Sequence, residues 1–567
     1  MSLRVWGTGE DDPRGVESVA AGAPQPARYR LVNRNLNPLL QTLPDKFETF
    51  RREQVRGVDE AYRAFDDGVK VVVLDAPTGS GKTLIGETVR RMAGVRSGVY
   101  VCSDRSLQVQ FNRDFPYSRI LMGRSNYPTV YFEESWKPGD IGSVSAEDCT
   151  KTDTSPCMLC PSKHECPYEI AKHEALSSFL PVLNMAYALT EWNGPGRFSG
   201  RGLAIVDEAD LLAGALRSYV SVEVGERRLK RYGWVAPKLT VESSWAEWAK
   251  EHSGRARDLM RQYEGRALDT REARELKYLG GLSANLGRVW RDIAAGDSPW
   301  VYDGSRERVS FKPGRVRSFG PELLWKHADR WLLMSASIVS ADEVLWSLGC
   351  ENAATTVRLD STFPVRNRLV HVKPVGDMSR KRGGADDGVV LASVRRILFA
   401  HPRDRVLIHT VSYDRADKMV RVLRQLFPGR DILAYTSANA RAFALAAYTA
   451  TEDSVLVGPS LDRGVDLPGA LCRVQIITKV PYPNLGDKVV SALFHSGREG
   501  RTWYTVETVR ALVQMTGRAV RSEDDWAETW ILDKGFGEGL WARGGRDMFP
   551  RWWTDALVWE RADRKVR

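Results

Sequence analysis

The chain has 567 residues, 43% of them hydrophobic, and its 82 Lys and Arg outweigh 72 Asp and Glu for a net charge of +10. That length supports several cores, about three or four domains at ordinary domain size, and the basic balance favours a polyanionic partner such as nucleic acid. The composition argues against a membrane helix, which needs an apolar run of about 18 residues. It argues equally against a secretory leader, because Glu10, Asp11 and Asp12 stand where an apolar segment is required. Seven cysteines are too few for a disulfide scaffold of this length.

Residues 1–45 read as a flexible lead-in. The apolar run Val71–Leu74 then predicts a buried strand, leading into Ala76, Pro77, Thr78, Gly79, Ser80, Gly81, Lys82 and Thr83. A glycine-rich turn between strand and helix lets backbone N–H groups approach a phosphate, and the helix N-terminus adds positive partial charge. Lys82 supplies a charge for the β- and γ-phosphates, and the Thr83 hydroxyl is placed for Mg²⁺. Leu84, Ile85 and Val89 continue at helical spacing. The pattern calls for ATP and Mg²⁺ as cofactors.

Cys149, Cys157, Cys160 and Cys166 follow as C-x7-C-x2-C-x5-C. Four thiolates so close suit a soft metal centre, either an iron–sulfur cluster or zinc. Spacing alone favours zinc slightly, since C-x2-C turns are common in zinc ribbons. His164 reads as a solvated loop residue, and Cys102, Cys350 and Cys472 as small core residues.

Gly202–Val206 is a second buried-strand pattern, ending in Asp207-Glu208-Ala209-Asp210. A carboxylate at a strand's C-terminal end can reach Mg²⁺ across from the phosphate loop. Asp207 is assigned to the ion and Glu208 to orienting or activating water. Glu242–His252, Ala256–Tyr263 and Arg271–Tyr278 have helical character without a catalytic motif, and Pro374–Asp387 reads as an exposed Gly-rich loop.

Taken in chain order, these motifs resemble those of superfamily 2 helicases. Trp331–Ser337 is similar to the Ser-Ala-Thr coupling motif, with Ser337 in place of Thr, and Val406–Thr410 to the opening strand of the second motor domain. Ser460–Gly469 resembles E-G-I-D-F-P-G, with Arg463 at the usual acidic position and Gly464 and Asp466 on the nucleotide side. Gln514-Met515-Thr516-Gly517-Arg518-Ala519-Val520-Arg521 matches Q-x-x-G-R-x-x-R. The resemblance implies that Gln514, Arg518 and Arg521 serve the γ-phosphate from a facing domain, an arginine finger being worth about 10³–10⁵ in rate. Gln54 resembles the upstream glutamine that reads adenine, its amide able to donate and accept.

A narrower resemblance is to the XPD/DinG-like iron–sulfur helicases, over residues 47–535. It rests on Gly123-Arg124-Ser125-Asn126-Tyr127-Pro128, Cys166–Lys172, Leu183–Tyr187 and Asp360-Ser361-Thr362-Phe363-Pro364. The family's first cysteine follows Asn-Tyr, where Thr129 stands here, and Cys149 replaces it. The resemblance turns the choice of metal to [4Fe–4S], with Zn²⁺ as the alternative. It implies an α/β fold: two RecA-like motor domains, with an iron–sulfur domain and a helical arch domain inserted in the first. Motor domain one is expected at 46–122, 186–214 and 326–366, the cluster domain at 123–185, the arch at 215–325, and motor domain two with a C-terminal extension at 367–567. ATP is expected between the motor domains. The implied activity is ATP-dependent DNA unwinding with 5′→3′ movement, by a monomer, on single-stranded and forked or flapped DNA. The expected location is cytoplasmic or nucleoid-associated, neither membrane-bound nor secreted. Arg124, Asn126 and Tyr127 are candidate DNA contacts, most of the 18 tryptophans being core residues. The alternative is a nucleic-acid-binding scaffold or remodelling ATPase without processive unwinding.

Overall fold

The computed structural model describes residues 42–128, 145–146, 164–238, 241–265, 270–296, 298–305, 307–379, 384–435, 437–459, 467, 469–517, 520 and 522–560. They form two compact units. The larger holds 42–360 together with Tyr482–Glu507, and the other holds Ser361–Pro481 and 508–560.

The larger unit is built on a parallel sheet. Its strands are β1 (Val71–Asp75), β2 (Gly98–Cys102), β3 (Arg119–Leu121), β4 (Pro181–Asn184) and β5 (Leu203–Asp207), joined by two later strands, Trp331–Ser335 and Ala354–Arg358. Between β5 and these, β6 (Val222–Gly225), β7 (Trp300–Gly304) and β8 (Arg308–Pro313) form a separate antiparallel sheet in the order β6-β8-β7. Numbering the two later strands β9 and β10, the parallel sheet runs β10-β1-β9-β5-β2-β4-β3. Parallel strands are covered on both faces, so they read as continuous apolar runs. Alternate side chains enter opposite cores: Val71 and Val73 join one cluster, Val72 and Leu74 the other. Helix α1 (Arg52–Asp66) and helix α2 (Lys82–Met92) cover the second face, with Val58, Phe65, Leu84, Ile85 and Val89 buried there.

β4 lies within the span expected for the cluster domain, yet it pairs with β2 and β3 in the first sheet. Residues 215–325, expected to be helical, do contain the long helices Glu242–Arg261 and Thr270–Ala295. They also contain the β6-β8-β7 sheet, which helical periodicity alone did not reveal. Trp245 stacks on Tyr302 of β7 and meets Phe311 of β8 edge-on, seating the first long helix on that sheet. Tyr482–Glu507, expected in the second motor domain, packs with this unit. Lys488 lies 3.3 Å from Asp303, and Arg315 pairs with Glu499.

The other unit carries a second parallel sheet. Its strands are β11 (Val370–Gly376), β12 (Val406–His409), β13 (Ile432–Ala434), β14 (Val455–Gly458), β15 (Val474–Ile477), β16 (Glu528–Asp533) and β17 (Leu557–Trp559), in the order β13-β14-β12-β15-β16-β11-β17. Helix α3 (Asp387–Ala400) packs Val390, Val394 and Leu398 against it. Near the C-terminus, Trp553 is fully buried and its indole N–H donates to Thr516 Oγ1 at 2.8 Å, whereas Trp559 is half exposed. The two parallel sheets give the expected α/β class. No helix among the described residues is long and apolar enough to cross a membrane.

Candidate nucleotide site

The phosphate loop leaves β1 at Ala76 and enters α2 at Lys82. Gly79 and Gly81 have φ values of 75° and 81°, a left-handed conformation that glycine adopts without cost. A Cβ on Gly81 would lie 2.3 Å from Gln54 Nε2. Gln54 explains that crowding. It is buried on α1, its Nε2 donating to Ser80 O and its Oε1 accepting from Arg51 N, both at 2.8 Å. Arg51 donates to Gly79 O at 2.8 Å. Arg51 at the N-cap of α1 and Gln54 within it therefore hold the Gly79 and Ser80 carbonyls of the loop from behind. Gln54 retains one amide hydrogen and one oxygen lone pair for other partners. The Ser80 hydroxyl is buried without a hydrogen-bond partner, an orphan that a phosphate oxygen would satisfy.

The acidic side of the site stands on neighbouring strands. In register, Asp75 on β1 is level with Ser335 on β9, and Asp207 on β5 with Met334. The carboxylates therefore sit at the C-terminal strand ends, where ligands bind open α/β sheets. Asp207 accepts the Tyr100 hydroxyl at 2.8 Å and the Glu208 N–H at 3.0 Å. Glu208 takes a left-handed φ of 51°, uncommon for a non-glycine residue and typical of constrained sites. The Ser103 hydroxyl donates to its carboxylate. Asp210 is buried and receives Ser335 Oγ at 2.7 Å and Ser337 Oγ at 3.3 Å, while Ser335 O accepts from Ala76 N at 3.1 Å. The Asp-Glu-Ala-Asp segment, the Ser-Ala-Ser segment and the start of the phosphate loop thus form one hydrogen-bonded chain.

Burial pushes the Asp75 carboxyl up to about 6, against the opposing pull of Arg358 and Lys82. Its Oδ1 is buried without a hydrogen-bond partner. Burial, reinforced by Asp207, holds the Tyr100 phenol well above its ordinary range, so it remains a donor to that carboxylate. Sequence reading missed Arg51, Asp75, Tyr100 and Ser103. Asp75 and Arg51 lie beside recognised motifs, whereas Tyr100 and Ser103 carry no local signal.

The remaining sequence-predicted residues fall elsewhere. Gln514 lies half-buried in the helix Arg498–Thr516, in the smaller unit. Arg518, Arg521, Gly464 and Asp466 lie outside the described residues, as do Cys149, Cys157 and Cys160. Cys166 is buried at the N-cap of the helix Pro167–Ser177. The four-cysteine donor set of the sequence fits a soft metal centre. Among the described residues no His, Cys, Asp or Glu group stands arranged around a metal. Arg124 lies over the Tyr168 ring, 5.1 Å from its centroid, and Tyr127 meets the same ring edge-on. Arg105 donates to Asn126 Oδ1 at 3.0 Å.

The Helicase C-terminal domain family (Helicase_C_2) matches residues 395–556. Among known proteins, the chain is 27% identical over 141 residues to ATP-dependent DNA helicase CHL1 of Candida glabrata, covering 22% of this chain and 16% of that protein. It is 24% identical over 277 residues to ATP-dependent DNA helicase DinG of Photobacterium profundum, covering 44% of this chain and 40% of that one. These matches thus span less than half the length of either relative. In fold the chain is similar to a solved XPD helicase, with a TM-score of 0.58, 16% identity, and coverage of 90% of this chain and 100% of that one. It is likewise similar in fold to the solved structure of S. tokodaii Xpd4, with a TM-score of 0.51, 14% identity, and coverage of 90% of this chain and 100% of that one.

Proposed function

We propose that the chain is an XPD/DinG-like helicase of superfamily 2, an ATP-dependent DNA helicase that moves 5′→3′ on single-stranded DNA and parts forked or flapped duplex, a reading supported by its similarity to such helicases. The observation that carries the reading is the hydrogen-bonded chain from the phosphate loop through Ser335 and Ser337 to Asp210, beside Asp207 and Glu208. Such a chain links the occupancy of a phosphate site to the segments that lead away from it.

Bound MgATP supplies the phosphoanhydride whose cleavage drives movement. The loop N–H groups of residues 79–83 and Lys82 hold its phosphates, Thr83 and Asp207 hold Mg²⁺, and Glu208 orients the attacking water. Gln54 meets the adenine edge with the donor and acceptor it retains. Gln514, Arg518 and Arg521 meet charge that develops in the transition state, and Gly464 and Asp466 complete the nucleotide contacts. Cys149, Cys157, Cys160 and Cys166 hold a [4Fe–4S] cluster, with Zn²⁺ as the alternative, in an inserted domain at 123–185, and 215–325 forms the arch. Arg124, Asn126 and Tyr127 lie along the strand path.

The test is ATP hydrolysis with and without single-stranded DNA, followed by unwinding of forked duplexes carrying only a 5′ or only a 3′ tail. DNA-stimulated hydrolysis with separation of the 5′-tailed substrate is expected. Stimulation without strand separation would favour the remodelling ATPase, and hydrolysis indifferent to DNA would overturn both.

A further inference from the structure

Strand β2 sends a hydroxyl to each of the two carboxylates at the end of β5. In register, Val101 on β2 is level with Val206 on β5, so the residues that leave the two strands stand side by side. The Tyr100 hydroxyl reaches Asp207 at 2.8 Å, and the Ser103 hydroxyl donates to Glu208 Oε2. The two bonds differ in setting. Tyr100 is fully buried, whereas Ser103 and Glu208 are both half-buried. Packing fixes the first bond, and the second joins two side chains that have room to move.

From Ser103 the chain runs directly into the helix Arg105–Asp114. Asp104 caps that helix: its Oδ1 accepts the N–H groups of Ser106 and Leu107 at 2.8 and 3.1 Å, while its Oδ2 lies 3.2 Å from Ser103 Oγ. Ser103 is thereby tied to the start of the helix. Arg105, the first helical residue, is exposed and donates to Oδ1 of Asn126, itself exposed, at 3.0 Å. Asn126 is one of the residues proposed above to lie along the strand path. An exposed guanidinium at a helix start attracts a phosphodiester, and a phosphate there competes with Asn126 for Arg105. Glu208, Ser103, Asp104, Arg105 and Asn126 thus form a continuous route within the larger unit. It leads from the carboxylate assigned to water to a surface that a polyanion can reach.

We propose that Ser103 is a positioning residue for hydrolysis: its hydroxyl holds Glu208 in a resting orientation, and single-stranded DNA drawn to Arg105 shifts the start of the helix and withdraws Ser103. This assignment rests on the DNA-stimulated hydrolysis proposed above and names the contact through which the strand acts. A carboxylate serves a water only when one of its oxygens lies within hydrogen-bond reach of it. While Ser103 holds Oε2, the side chain keeps the direction that Ser103 dictates. Once released, it turns to the water beside the γ-phosphate. Glu208 also has the left-handed backbone that clusters at constrained and switching positions. The bond slows hydrolysis without DNA and is broken with it.

The experiment is steady-state ATP hydrolysis by the full chain, with no DNA and with a saturating single-stranded oligonucleotide, read as kcat and KM for ATP. Ser103→Ala should raise the DNA-free kcat by about tenfold or more, the weight of one hydrogen bond to a charged group. KM for ATP and the DNA-saturated kcat should stay near the wild-type values, so the stimulation ratio shrinks. Ser103→Thr, which keeps the hydroxyl, should restore the low DNA-free rate. Arg105→Ala should cut stimulation at oligonucleotide concentrations where fluorescence anisotropy shows the strand bound. A merely structural Ser103 would lower both rates together and leave the ratio unchanged. That result, or a Ser103→Ala protein that behaves as the wild type, would overturn the proposal while DNA stimulation of the wild type still supports the helicase reading. Full stimulation of strand-bound Arg105→Ala would overturn the route through Arg105. A wild type whose hydrolysis ignores DNA would fail the helicase reading, and this assignment with it.

Discussion

Glu208 and Ser335 show how single side chains make the candidate site work. The left-handed backbone at Glu208 turns the chain between two carboxylates with different tasks, Asp207 facing Tyr100 and Asp210 facing the two serines. Glu208→Gln preserves the shape and can still accept the Ser103 hydroxyl, but it removes the carboxylate proposed to orient or activate water. ATP affinity should persist while hydrolysis falls by about 10²–10⁴-fold, the span of general-base effects; binding measured beside single-turnover kinetics checks this. Hydrolysis at the wild-type rate would remove Glu208 from the mechanism. Ser335→Ala withdraws the shorter of the two hydroxyl bonds from a buried carboxylate and should destabilise by about 1–3 kcal/mol. Ser337, at 3.3 Å, should matter less. Urea denaturation of the two alanine variants checks the order, and a larger loss for Ser337→Ala would reverse it.

Elements set the precision with which these residues are presented. The α1–loop–α2 assembly works because Gly81 brings the chain close to Gln54. Gly81→Ala adds a Cβ to a left-handed residue, at about 1–2 kcal/mol, and drives it into the Gln54 amide. Nucleotide affinity should drop by about tenfold or more, as read by titration with a fluorescent ATP analogue; unchanged affinity would show that the loop re-forms without the Gln54 contact. A second element-level prediction concerns the turn before β9. His327 accepts from Ser199 Oγ on Nδ1 at 2.8 Å, donates from Nε2 to Asn193 Oδ1 at 3.2 Å, and stacks parallel to Trp192. That assignment requires the neutral ring. Burial, aided by Lys326, pushes its pKa from 6.5 down to about 4. Between these values the unfolded chain takes up a proton that the folded chain refuses, so stability is lost as pH falls from about 6.5 towards 4. His327→Gln should be less stable at pH 7 yet lose less on acidification through that window. Urea midpoints compared across pH test it, and parallel curves for the two proteins would refute the assignment.

In the whole molecule, the phosphate loop and the Asp-Glu-Ala-Asp segment follow strands β1 and β5 of the first sheet, while the cysteine segment falls in sequence between β3 and β4 of that sheet. The sheet closes through β4, whose pairing with β2 and β3 does not use the inserted segment. Loss of the proposed cluster should therefore leave the strand ends at Asp75 and Asp207 intact. Cys160→Ser is expected to lose iron and acid-labile sulfide, keep much of its ATPase, and lose strand separation. Iron analysis with paired ATPase and unwinding assays checks all three; full unwinding without metal would detach the cluster from the function.

Local chemistry alone determined much of this protein. The runs Val71–Leu74 and Gly202–Val206 foretold strands because a strand buried on both faces must be apolar throughout, and the family resemblance foretold the strand at Val406. The phosphate loop was legible because turn, lysine and helix start are contiguous. Tertiary structure decided what contiguity cannot encode. Gln54 reaches the loop across 26 positions, Tyr100 reaches Asp207 across 107, and Ser335 reaches Asp210 across 125. Each contact depends on which strands become neighbours and in what register, and crossover connections set that rather than local periodicity. The strands of the β6-β8-β7 sheet among the long helices escaped sequence reading for the same reason. Their partners are distant in the chain, and only the completed sheets bring them together.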